Sequence, residues 1–390
     1  MTIVVTGGGS GGHITPVLAV AHELKKQSKD IKVVYIGQKG DNLSDIPAQS
    51  EFIDEIHLIR AGKLRRYHGE GLKQLLDLKT VAKNIRDAVL VAIGIVQTFF
   101  LLKKIQPDTI FIKGGFVGVP VGLAAAALHI PYVTHDSDAL PGLANRIVAP
   151  WARLHAVALP KEVYSYPADK TLDVGVPLAH HYKPFSPAEV KTAREQLGLP
   201  KTGKVLFITG GGLGAQRLNK AVATCAADLL QRYPDLTILQ LAGRANEATL
   251  RQYYQKELSP KLQHRVIVKG FVTNLHVYSG AADVVVTRAG ATSIAEFAAQ
   301  HKACVVVPNP LLTGGHQTKN AKVLADRMAV KLVTEDKLAK DERALLPVLV
   351  DLFDHPERAA DLGKTLGQFA KGDSAKQLAM VLLDIAGDKK

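Results

Sequence analysis

Short apolar runs alternate with longer amphipathic segments along the whole chain. In the first half, the apolar runs predict β-strands at Thr2–Val5, Lys32–Ile36, Ile56–Ile59, Thr109–Ile112, Tyr132–Thr134 and Leu154–Leu159. The segments between them have helical periodicity, and Thr15 and Pro16 predict the N-cap and the first residue of a helix over Pro16–Lys26. Short buried strands that alternate with helices are typical of a parallel sheet covered on both faces. The pattern therefore predicts an α/β fold.

The alternation pauses near Leu172 and restarts at Val205. The second series of apolar runs predicts strands at Val205–Thr209, Leu236–Leu241, Val266–Val268, Val284–Thr287, Cys304–Val307 and Lys331–Val333. After them, the tail has a helical pattern throughout. A chain of 390 residues exceeds one typical hydrophobic core, so two domains are expected.

The pause in the pattern defines the predicted domain boundaries. We expect an N-terminal domain over 1–178, a linker over 179–200 and a second domain over 201–355. The helices over 356–390 are expected to pack back towards the N-terminal domain. The linker prediction depends on the break in periodicity and on the prolines between Val176 and Pro200.

Each predicted domain opens with a buried strand that runs into a glycine turn. The first turn is Gly7–Gly12, and the second is Gly210–Gly214. A strand-to-helix turn of this kind presents backbone N–H groups at the positive end of a helix dipole, which favours phosphate. Ligands of open α/β sheets bind beyond the carboxyl ends of the strands. We therefore expect two phosphate-binding turns, which would share one interdomain cleft if the domains face each other.

The first turn also matches the dinucleotide-binding pattern G-x-G-x-x-G, from Gly7 through Gly9 to Gly12. That fold requires an acidic residue at the end of the second strand to bind the ribose. Here the second strand ends in Tyr35-Ile36-Gly37-Gln38-Lys39, without a carboxylate. No Gly-Lys-Ser/Thr follows either turn, which argues against a P-loop. The remaining interpretations are two phosphate cradles, or glycines needed only for close strand–helix packing.

Charge and cysteine content narrow the class of protein. The net charge of +13 indicates either a solvated basic surface or an anionic partner, which could be nucleic acid, a nucleotide-linked substrate or an anionic membrane. Nucleic acid is disfavoured because the basic residues are dispersed and not interleaved with aromatic residues. Cys225 and Cys304 lack zinc-binding spacing, which indicates free thiols in the cytoplasm. Because the first residues lead at once into a strand, with no basic region followed by an apolar segment, we expect no secretory signal.

One nearly uncharged segment, Ala88–Leu102, bears on membrane association. It is flanked by the basic residues Lys83, Arg86, Lys103 and Lys104. The segment is shorter than the roughly 17–25 residues that a spanning helix needs. Two interpretations remain open: a helix packed into a core, or a helix whose outer face enters the surface of a bilayer.

The second domain carries polar groups at two predicted helix starts. Thr292 and Ser293 follow a strand and a glycine turn, so they can cap a helix and donate to a diphosphate. Glu296, one turn later, can accept hydrogen bonds from vicinal ribose hydroxyls, or can simply complement the helix dipole. His316 and Gln317 suit a hydroxyl-rich sugar, or can cap their own helix.

The chain contains a series of motifs that occur in one family in the same order. They are Gly7-Gly8-Gly9-Ser10-Gly11-Gly12-His13-Ile14-Thr15-Pro16, Gly114-Gly115-Phe116-Val117, His135-Asp136, Gly142-Leu143-Ala144-Asn145-Arg146, Gly175-Val176-Pro177, Gly211-Gly212-Leu213-Gly214-Ala215, Arg288-Ala289-Gly290-Ala291, Glu296 and His316-Gln317-Thr318-Lys319-Asn320-Ala321. With them the chain resembles the MurG family of bacterial N-acetylglucosaminyltransferases. The resemblance implies a GT-B fold, in which two Rossmann-like domains with parallel sheets face an interdomain cleft. It also implies inverting transfer of N-acetylglucosamine from UDP-N-acetylglucosamine to the undecaprenyl-diphosphate-linked muramyl-pentapeptide, lipid I, which yields lipid II in peptidoglycan synthesis.

The same resemblance implies roles for individual residues. Acceptor contacts fall on Gly9, Gly115, Phe116 and Asn145. Donor contacts fall on Ser10, Gly11, Gly12, Asp138, Gly212, Val272, Arg288, Ala291, Thr292, Ser293, Ile294, Ala295, Glu296, His316 and Gln317. No metal or other cofactor is implied, and Ala88–Leu102 would hold the enzyme on the cytoplasmic face of the membrane as a peripheral protein.

The reaction needs a base that takes the proton of the attacking sugar hydroxyl. His13 is the titratable side chain of the first glycine turn, and its unperturbed pKa of about 6.5 suits this role. The alternative is that His13 only bonds a phosphate or the backbone of the turn. Asp136 is the rival base.

Three positions depart from the family pattern. Asp138 and Gly212 stand where the family often has Asn and Ser, and Ala179 replaces an arginine that contacts a donor phosphate. A carboxylate cannot donate the amide hydrogen bond of the Asn. His180, His181 or Arg288 could replace the missing arginine. The alternatives to the main function are a related enzyme that glycosylates diacylglycerol or another lipid, a nucleotide-sugar epimerase and a catalytically silent binding protein.

Overall fold

The computed structural model describes residues 1–41, 43–63, 78–211 and 215–388. It divides into two compact units. The first comprises Met1–His180 and Lys371–Lys390, and the second comprises His181–Ala370.

The elements alternate between strand and helix, as the hydrophobic pattern predicts. Up to residue 180 they are β1 (Thr2–Thr6), α1 (Gly11–Gln27), β2 (Lys32–Gln38), α2 (Asp45–Ala48), β3 (Glu55–Ile59), α3 (Leu78–Ile105), β4 (Thr109–Ile112), α4 (Gly118–Ala127), β5 (Tyr132–Asp136), α5 (Leu143–Val148), β6 (Leu154–Val157) and β7 (Thr171–Asp173). After residue 180 they are α6 (Pro187–Gln196), β8 (Lys204–Thr209), α7 (Gln216–Arg232), β9 (Leu236–Leu241), α8 (Glu247–Glu257), α9 (Pro260–Gln263), β10 (Val266–Lys269), α10 (Leu275–Ala281), β11 (Val284–Thr287), α11 (Ala291–Ala299), β12 (Ala303–Val306), α12 (His316–Ala325), β13 (Lys331–Leu332), α13 (Glu335–Lys340), α14 (Leu346–Asp354), α15 (Pro356–Gly367) and α16 (Ser374–Gly387).

The sheet of the first unit has the strand order β3-β2-β1-β4-β5-β6-β7, and its pairs are parallel. Successive side chains of a strand point to opposite faces. Ile3 and Val5 therefore pack on one face with α1 and α16, while Val4 packs on the other face with α4. Helices on both faces explain why β1 is apolar at every interior position. The predicted α/β class is confirmed.

The sheet of the second unit has the order β10-β9-β8-β11-β12-β13 and is also parallel. Leu206 and Ile208 pack on one face with α7 and α14, and Phe207 packs on the other with α11. The strand that opens each unit's sheet and leads into its first glycine turn, β1 or β8, lies inside the sheet with a strand on either side. The carboxyl ends of β2 and β4 therefore lie on either side of the turn after β1, while residues 212–214 of the turn after β8 lie outside the described residues.

The unit boundaries differ in two places from the predicted domains. The predicted linker, 179–200, contains α6, which packs within the second unit: Arg194 donates to Ala281 O and pairs with Asp283. Of the predicted C-terminal helices, α15 packs in the second unit, where a Cβ on Gly363 would lie 2.1 Å from His301 O. The final helix α16 packs in the first unit. Helical periodicity gives the buried face of such a helix but not the unit that it covers.

Helix α1 begins at Gly11, five residues before the predicted start. Ser10 occupies the N-cap position, and the N–H of His13 bonds to Ser10 O. Thr15 does not cap the helix, since its hydroxyl donates to Gly11 O, and Pro16 lies inside the helix. The prediction of Thr15 and Pro16 as helix start was wrong because the end of the glycine turn itself winds into the helix. His13 consequently sits in the first helical turn.

Helix α3 extends well beyond the apolar segment Ala88–Leu102. Over Thr80–Ile105 it is long and apolar enough to cross a membrane by length and composition, and only 17% of its most apolar window is buried. Its inner face packs closely, since a Cβ on Gly94 would lie 2.0 Å from Arg60 O. Its outer face is also apolar, and Phe100 is 66% exposed. The helix is therefore a surface helix with one packed face and one exposed apolar face.

Candidate active site

The first glycine turn follows β1, and side chains from the β2 segment hold its backbone. The Tyr35 hydroxyl donates to Gly7 O. The Gly9 N–H donates to the Asp41 carboxylate at 2.8 Å. The turn is therefore fixed from the side of β2 by one phenol and one carboxylate.

Another glycine turn, Gly114–Gly115, follows β4. It lies directly against the turn at Gly7–Gly12. A Cβ on Gly115 would lie 2.5 Å from Gly8 O, and the φ of +80° at Gly115 also disfavours any other residue. A Cβ on Gly9 would lie 2.7 Å from the ring of Phe116. Three of the predicted acceptor contacts, Gly9, Gly115 and Phe116, are thus brought together. Their contact with an acceptor stays a prediction.

Asn145, the fourth predicted acceptor contact, is buried behind these turns. Its Nδ2 donates to His135 O at 2.8 Å, and its side chain approaches Gly114, where a Cβ would lie 3.5 Å from Oδ1. Asn145 is therefore placed to support the Gly114 turn from behind.

His13 is half-buried at the start of α1. Its Nδ1 lies 3.1 Å from Gly8 O and 3.0 Å from Ser10 Oγ. A carbonyl oxygen only accepts, so the contact with Gly8 is a hydrogen bond only when Nδ1 carries the proton. In a neutral ring, Nε2 then has the free lone pair, which is the group that a base needs.

Burial is the main influence on the charge of His13. Burial, and then the positive charge of Lys113, lower the pKa of His13 to about 4, while Asp138 and the bond to Gly8 act in the opposite direction. The imidazole is therefore neutral at neutral pH. A neutral imidazole can accept a proton, and the role of His13 as the base stays a prediction.

Asp136, the rival base, is buried at the end of β5. Its Oδ1 accepts from the Gly142 N–H at 2.9 Å, and its Oδ2 accepts from the Tyr166 hydroxyl at 2.8 Å. Burial raises the pKa of Asp136. With each oxygen holding a donor, the carboxylate is arranged to brace the loop that ends at Gly142, and the choice between Asp136 and His13 as the base stays a prediction.

Lys113 is a residue of this cluster that the sequence did not single out. It follows β4 directly, is 3% exposed, and donates from Nζ to Ser137 Oγ at 2.9 Å. Burial lowers the pKa of Lys113 to about 8. A lysine at the end of an otherwise apolar buried strand was the available signal, because buried lysines are rare.

In the second unit, β11 leads through Arg288 and Gly290 into α11. Gly290 is the N-cap, and neither Thr292 nor Ser293 makes a side-chain cap bond. The predicted capping by these two residues is therefore wrong: Gly290 occupies the N-cap, so both lie within the first turn. The first N–H groups of a helix have no partner within it and can receive an anion. Ile294 points into the core, while Ala291, Thr292, Ser293 and Ala295 are half-buried.

Glu296 lies one turn into α11 and accepts a hydrogen bond from the Tyr182 hydroxyl. Burial raises the pKa of Glu296 to about 7, and the bond from Tyr182 acts in the opposite direction. The Tyr182 ring lies against His276, with ring centroids 6.0 Å apart. Tyr182 was missed because it falls in the predicted linker, where no periodic pattern marks it.

Arg288 is engaged inside the second unit. Its Nη1 donates to Val307 O at 3.0 Å and lies 2.6 Å from the Glu335 carboxylate. Arg288 and Glu335 are 7% and 8% exposed, and Glu335 also pairs with Arg217 at 2.7 Å. The Arg288 guanidinium is therefore held within the protein, and its predicted contact with the donor stays a prediction.

The remaining predicted donor residues lie at loop ends and helix starts. Gln317 is buried at the start of α12, where its Oε1 accepts from the Asn309 N–H at 2.9 Å, and His316 precedes it, half-buried. Val272 packs against the core in the loop after β10. Ser10, Gly11, Gly12 and Asp138 lie on the first unit, and Gly212 lies outside the described residues.

The polar clusters do not form a metal centre in the part of the chain that the structure describes. There, no group of three His, Cys, Asp or Glu side chains is arranged to hold a metal ion. These clusters offer hydrogen-bond donors, the neutral imidazole of His13 and two carboxyl groups of raised pKa, those of Asp136 and Glu296.

Two family models match the chain and together cover most of it. The glycosyltransferase family 28 N-terminal domain matches residues 3–157, and the glycosyltransferase family 28 C-terminal domain matches residues 205–378. The gap between the two matches contains the boundary between the two units, at His180–His181.

Curated relatives of similar length carry one name. A protein of Clostridium kluyveri is 35% identical over 312 residues, 78% of each chain. A protein of Bacillus licheniformis is 31% identical over 357 residues, 91% of this chain and 89% of its own. Both are named UDP-N-acetylglucosamine--N-acetylmuramyl-(pentapeptide) pyrophosphoryl-undecaprenol N-acetylglucosamine transferase.

Solved structures support the predicted fold. The structure of MurG from Acinetobacter baumannii has a TM-score of 0.73 and is 22% identical, covering 98% of this chain and 99% of its own. UDP-GlcNAc 2-epimerase from Neisseria meningitidis has a TM-score of 0.64 and is 15% identical, covering 98% and 100%. Likeness at this identity concerns the fold, and it confirms the GT-B prediction.

Removing the carboxylate of Glu335 should destabilise the second unit. In Glu335→Ala, the buried Arg288 guanidinium loses its counter-ion, and breaking a buried pair from one side costs about 3–5 kcal/mol. Urea unfolding followed by circular dichroism should show an earlier transition. The matched control is Glu342→Ala, which removes the exposed ion pair with Lys220 and should change the midpoint little. Equal midpoints for the two variants would contradict a role for the buried pair.

Proposed function

The chain belongs to glycosyltransferase family 28, and we propose from that premise that it transfers N-acetylglucosamine from UDP-N-acetylglucosamine to lipid I, which forms lipid II. The observation that carries this function is the name shared by relatives at 31% and 35% identity, which are matched over most of their length. The chain is thus a UDP-sugar-dependent glycosyltransferase. Its acceptor is a lipid-linked muramyl-pentapeptide.

In the proposed reaction, the 4-hydroxyl of the muramyl sugar attacks the anomeric carbon of N-acetylglucosamine. The new glycosidic C–O bond forms as the bond to the UDP phosphate oxygen breaks, with inversion at that carbon. The proton of the hydroxyl passes to His13 Nε2, the ring nitrogen left unprotonated when Nδ1 donates to Gly8 O. A neutral imidazole is required for this step, and the lowered pKa of His13 supplies it.

The departing diphosphate needs positive partners on the donor side. The first-turn N–H groups of α11, at Ala291, Thr292 and Ser293, are suited to this role because they lie at the positive end of a helix dipole. Glu296 is placed to accept from the ribose hydroxyls, and Gln317 offers an amide to the sugar. We assign donor binding to the second unit and acceptor binding to the glycine turns of the first.

The lipid acceptor requires the enzyme to work at a bilayer, and we assign this contact to the outer face of α3. Ile85, Val89, Val96 and Phe100 are exposed on this helix. Lys83, Arg86, Lys103 and Lys104 supply positive charge for anionic headgroups. The inner face packs at Gly94, Thr98 and Leu102, so the helix would lie in the membrane interface and not cross it.

The test of the function is a transfer assay with two donors and two acceptors. UDP-N-acetylglucosamine and UDP-glucose are each incubated with a lipid I analogue and, separately, with diacylglycerol vesicles. We expect product from UDP-N-acetylglucosamine and the lipid I analogue. The absence of transfer to lipid I from both donors would overturn the proposal. Transfer only to diacylglycerol would favour the alternative acceptor, and conversion of UDP-N-acetylglucosamine without a lipid would indicate an epimerase.

Replacing His13 should remove the base. In His13→Ala, turnover should fall about 10²–10⁴-fold, the range that general base catalysis contributes. The matched control is His22→Ala on the same helix, whose ring packs on Phe52 away from the glycine turn. Turnover of the control should stay close to that of the unmodified enzyme. Undiminished turnover in His13→Ala would exclude His13 as the base.

Donor affinity should depend on pH through Glu296. A carboxylate accepts from both ribose hydroxyls, so affinity should weaken as the pH falls through about 7, where Glu296 gains a proton. Calorimetric titration with UDP-N-acetylglucosamine measures this, because its diphosphate diester does not titrate near neutral pH. Glu296→Gln should bind more weakly and lose the pH dependence.

A second substitution, at Tyr182, tests the same pH dependence of donor affinity. Tyr182→Phe removes a hydrogen bond that favours the charged carboxylate of Glu296, so the pH dependence should move to higher pH. Tyr253→Phe on α8 is the matched control. A pH profile that is identical in the unmodified protein, Tyr182→Phe and Glu296→Gln would contradict the role of Glu296.

Removing apolar side chains from the outer face of α3 should release the protein from membranes. Burying one large apolar side chain contributes about 1.5–3 kcal/mol, so the double variant Val96→Gln/Phe100→Gln should bind phosphatidylglycerol vesicles more than tenfold more weakly. Vesicle sedimentation measures this. The control is Met328→Gln, which changes an exposed apolar residue of the second unit. Equal vesicle binding by both variants would reject α3 as the docking surface.

A further inference from the structure

The position of Lys113 follows from the strand order of the first sheet. Strand β4 lies between β1 and β5, so the residue after β4 has the first glycine turn on one side and the end of β5 on the other. The Lys113 N–H donates to Thr6 O at 2.9 Å, which fixes its backbone against β1. Its side chain is buried between the two segments.

The ammonium of Lys113 lies among the ionisable groups at the carboxyl edge of the first sheet. It donates to Ser137 Oγ at 2.9 Å, and the carboxylates of Asp136 and Asp138 flank Ser137 in the chain. Both carboxylates interact electrostatically with Lys113. A buried ammonium is costly unless its charge is compensated, so this position indicates a use for the charge.

We propose, on the basis of the transfer reaction above, that Lys113 is a positioning residue: its buried ammonium holds the Ser137–Asp138 segment through Ser137 Oγ and, from the strand next to β1, adds a positive charge that opposes protonation of His13. Lys113 is not itself the base, and it acts through its charge on His13. The acceptor is a diphosphate, and its negative charge at the glycine turn would offset the field of the ammonium. His13 would then become a stronger base when the acceptor binds.

The neighbouring segments of β2, β4 and β5 each carry ionisable groups at the carboxyl edge of this sheet. The segment of β2 carries Tyr35 and Asp41, which bond to the backbone of the turn. Beyond β4 lies Lys113, and the segment of β5 carries His135, Asp136 and Asp138. Lys113 and Asp138 act on His13 directly and with opposite signs: the ammonium lowers the pKa of His13, and the carboxylate raises it.

The test is the titration of the His13 ring by NMR in the full-length protein. The His13 signal is assigned by its loss in His13→Gln. The ring should titrate near pH 4 in the unmodified protein. In Lys113→Met it should titrate about one pH unit or more higher, because a neighbouring cation has been removed. Lys113→Arg keeps the charge and should restore the low value.

Two further variants separate charge from structure. Lys302→Met removes another buried lysine, which donates to Gly280 O and Ala282 O in the second unit, and it should leave the His13 titration unchanged. Asp138→Asn should move the titration to lower pH, and it provides the test if Lys113→Met does not fold. An unchanged His13 titration in Lys113→Met, or in Asp138→Asn where that variant is needed, overturns the inference.

The transfer assay supplies a second readout. In the plot of transfer rate against pH, the acidic limb should move to higher pH in Lys113→Met. It should stay in place in Lys113→Arg. If the unmodified protein transfers no sugar, the proposed function fails, while the NMR titration still decides whether Lys113 controls the charge of His13. A purely structural lysine would lower the rate without moving the acidic limb or the titration.

Discussion

The first unit depends on the close approach of two backbone turns at the carboxyl edge of its sheet. The turn after β1 and the turn after β4 meet where a Cβ on Gly115 would lie 2.5 Å from Gly8 O. Because β1 and β4 are parallel neighbours, both turns leave the sheet at the same edge. Glycine therefore serves packing and ligand access at once: the absence of side chains lets the turns touch and leaves backbone exposed near His13. The two interpretations of the first glycine turn, phosphate cradle and close packing, are thus compatible.

Burial then determines the chemistry that each cluster can perform. The same desolvation has opposite effects on the two main groups, because it disfavours whichever form is charged. It lowers the pKa of His13 and leaves a neutral imidazole, while it raises the pKa of Glu296 to about 7. Hydrogen bonds decide the remaining details. The Gly8 carbonyl selects the ring nitrogen of His13 that carries the proton, and the Tyr182 phenol partly restores the charge of Glu296.

Local sequence was sufficient for features that depend on one element and insufficient for those that depend on two. The apolar runs and glycine turns predicted the α/β class, the restart at Val205 and the turns that follow β1 and β11. The family resemblance, carried by the motifs, added the GT-B fold.

Tyr182 and Glu335 were missed because their partners, Glu296 and Arg288, are more than 40 residues away in the chain. The start of α1 was misplaced for a local reason: the helix after Ser10 opens with Gly11 and Gly12, and glycine is a poor helix former that sequence patterns assign to the turn. The assignment of α15 and α16 to different units also depends on packing that periodicity does not contain.

The structure gives Asp138 a local role that the family comparison does not suggest. Where the family often has Asn, this chain has a carboxylate that interacts electrostatically with Lys113 and His13. A neutral amide would leave the buried ammonium with less compensation, and a carboxylate without the ammonium would hold a proton on His13 to higher pH. Lys113 and Asp138 are therefore best understood as one charge-balanced pair. On this view the departure at 138 concerns the state of the proposed base.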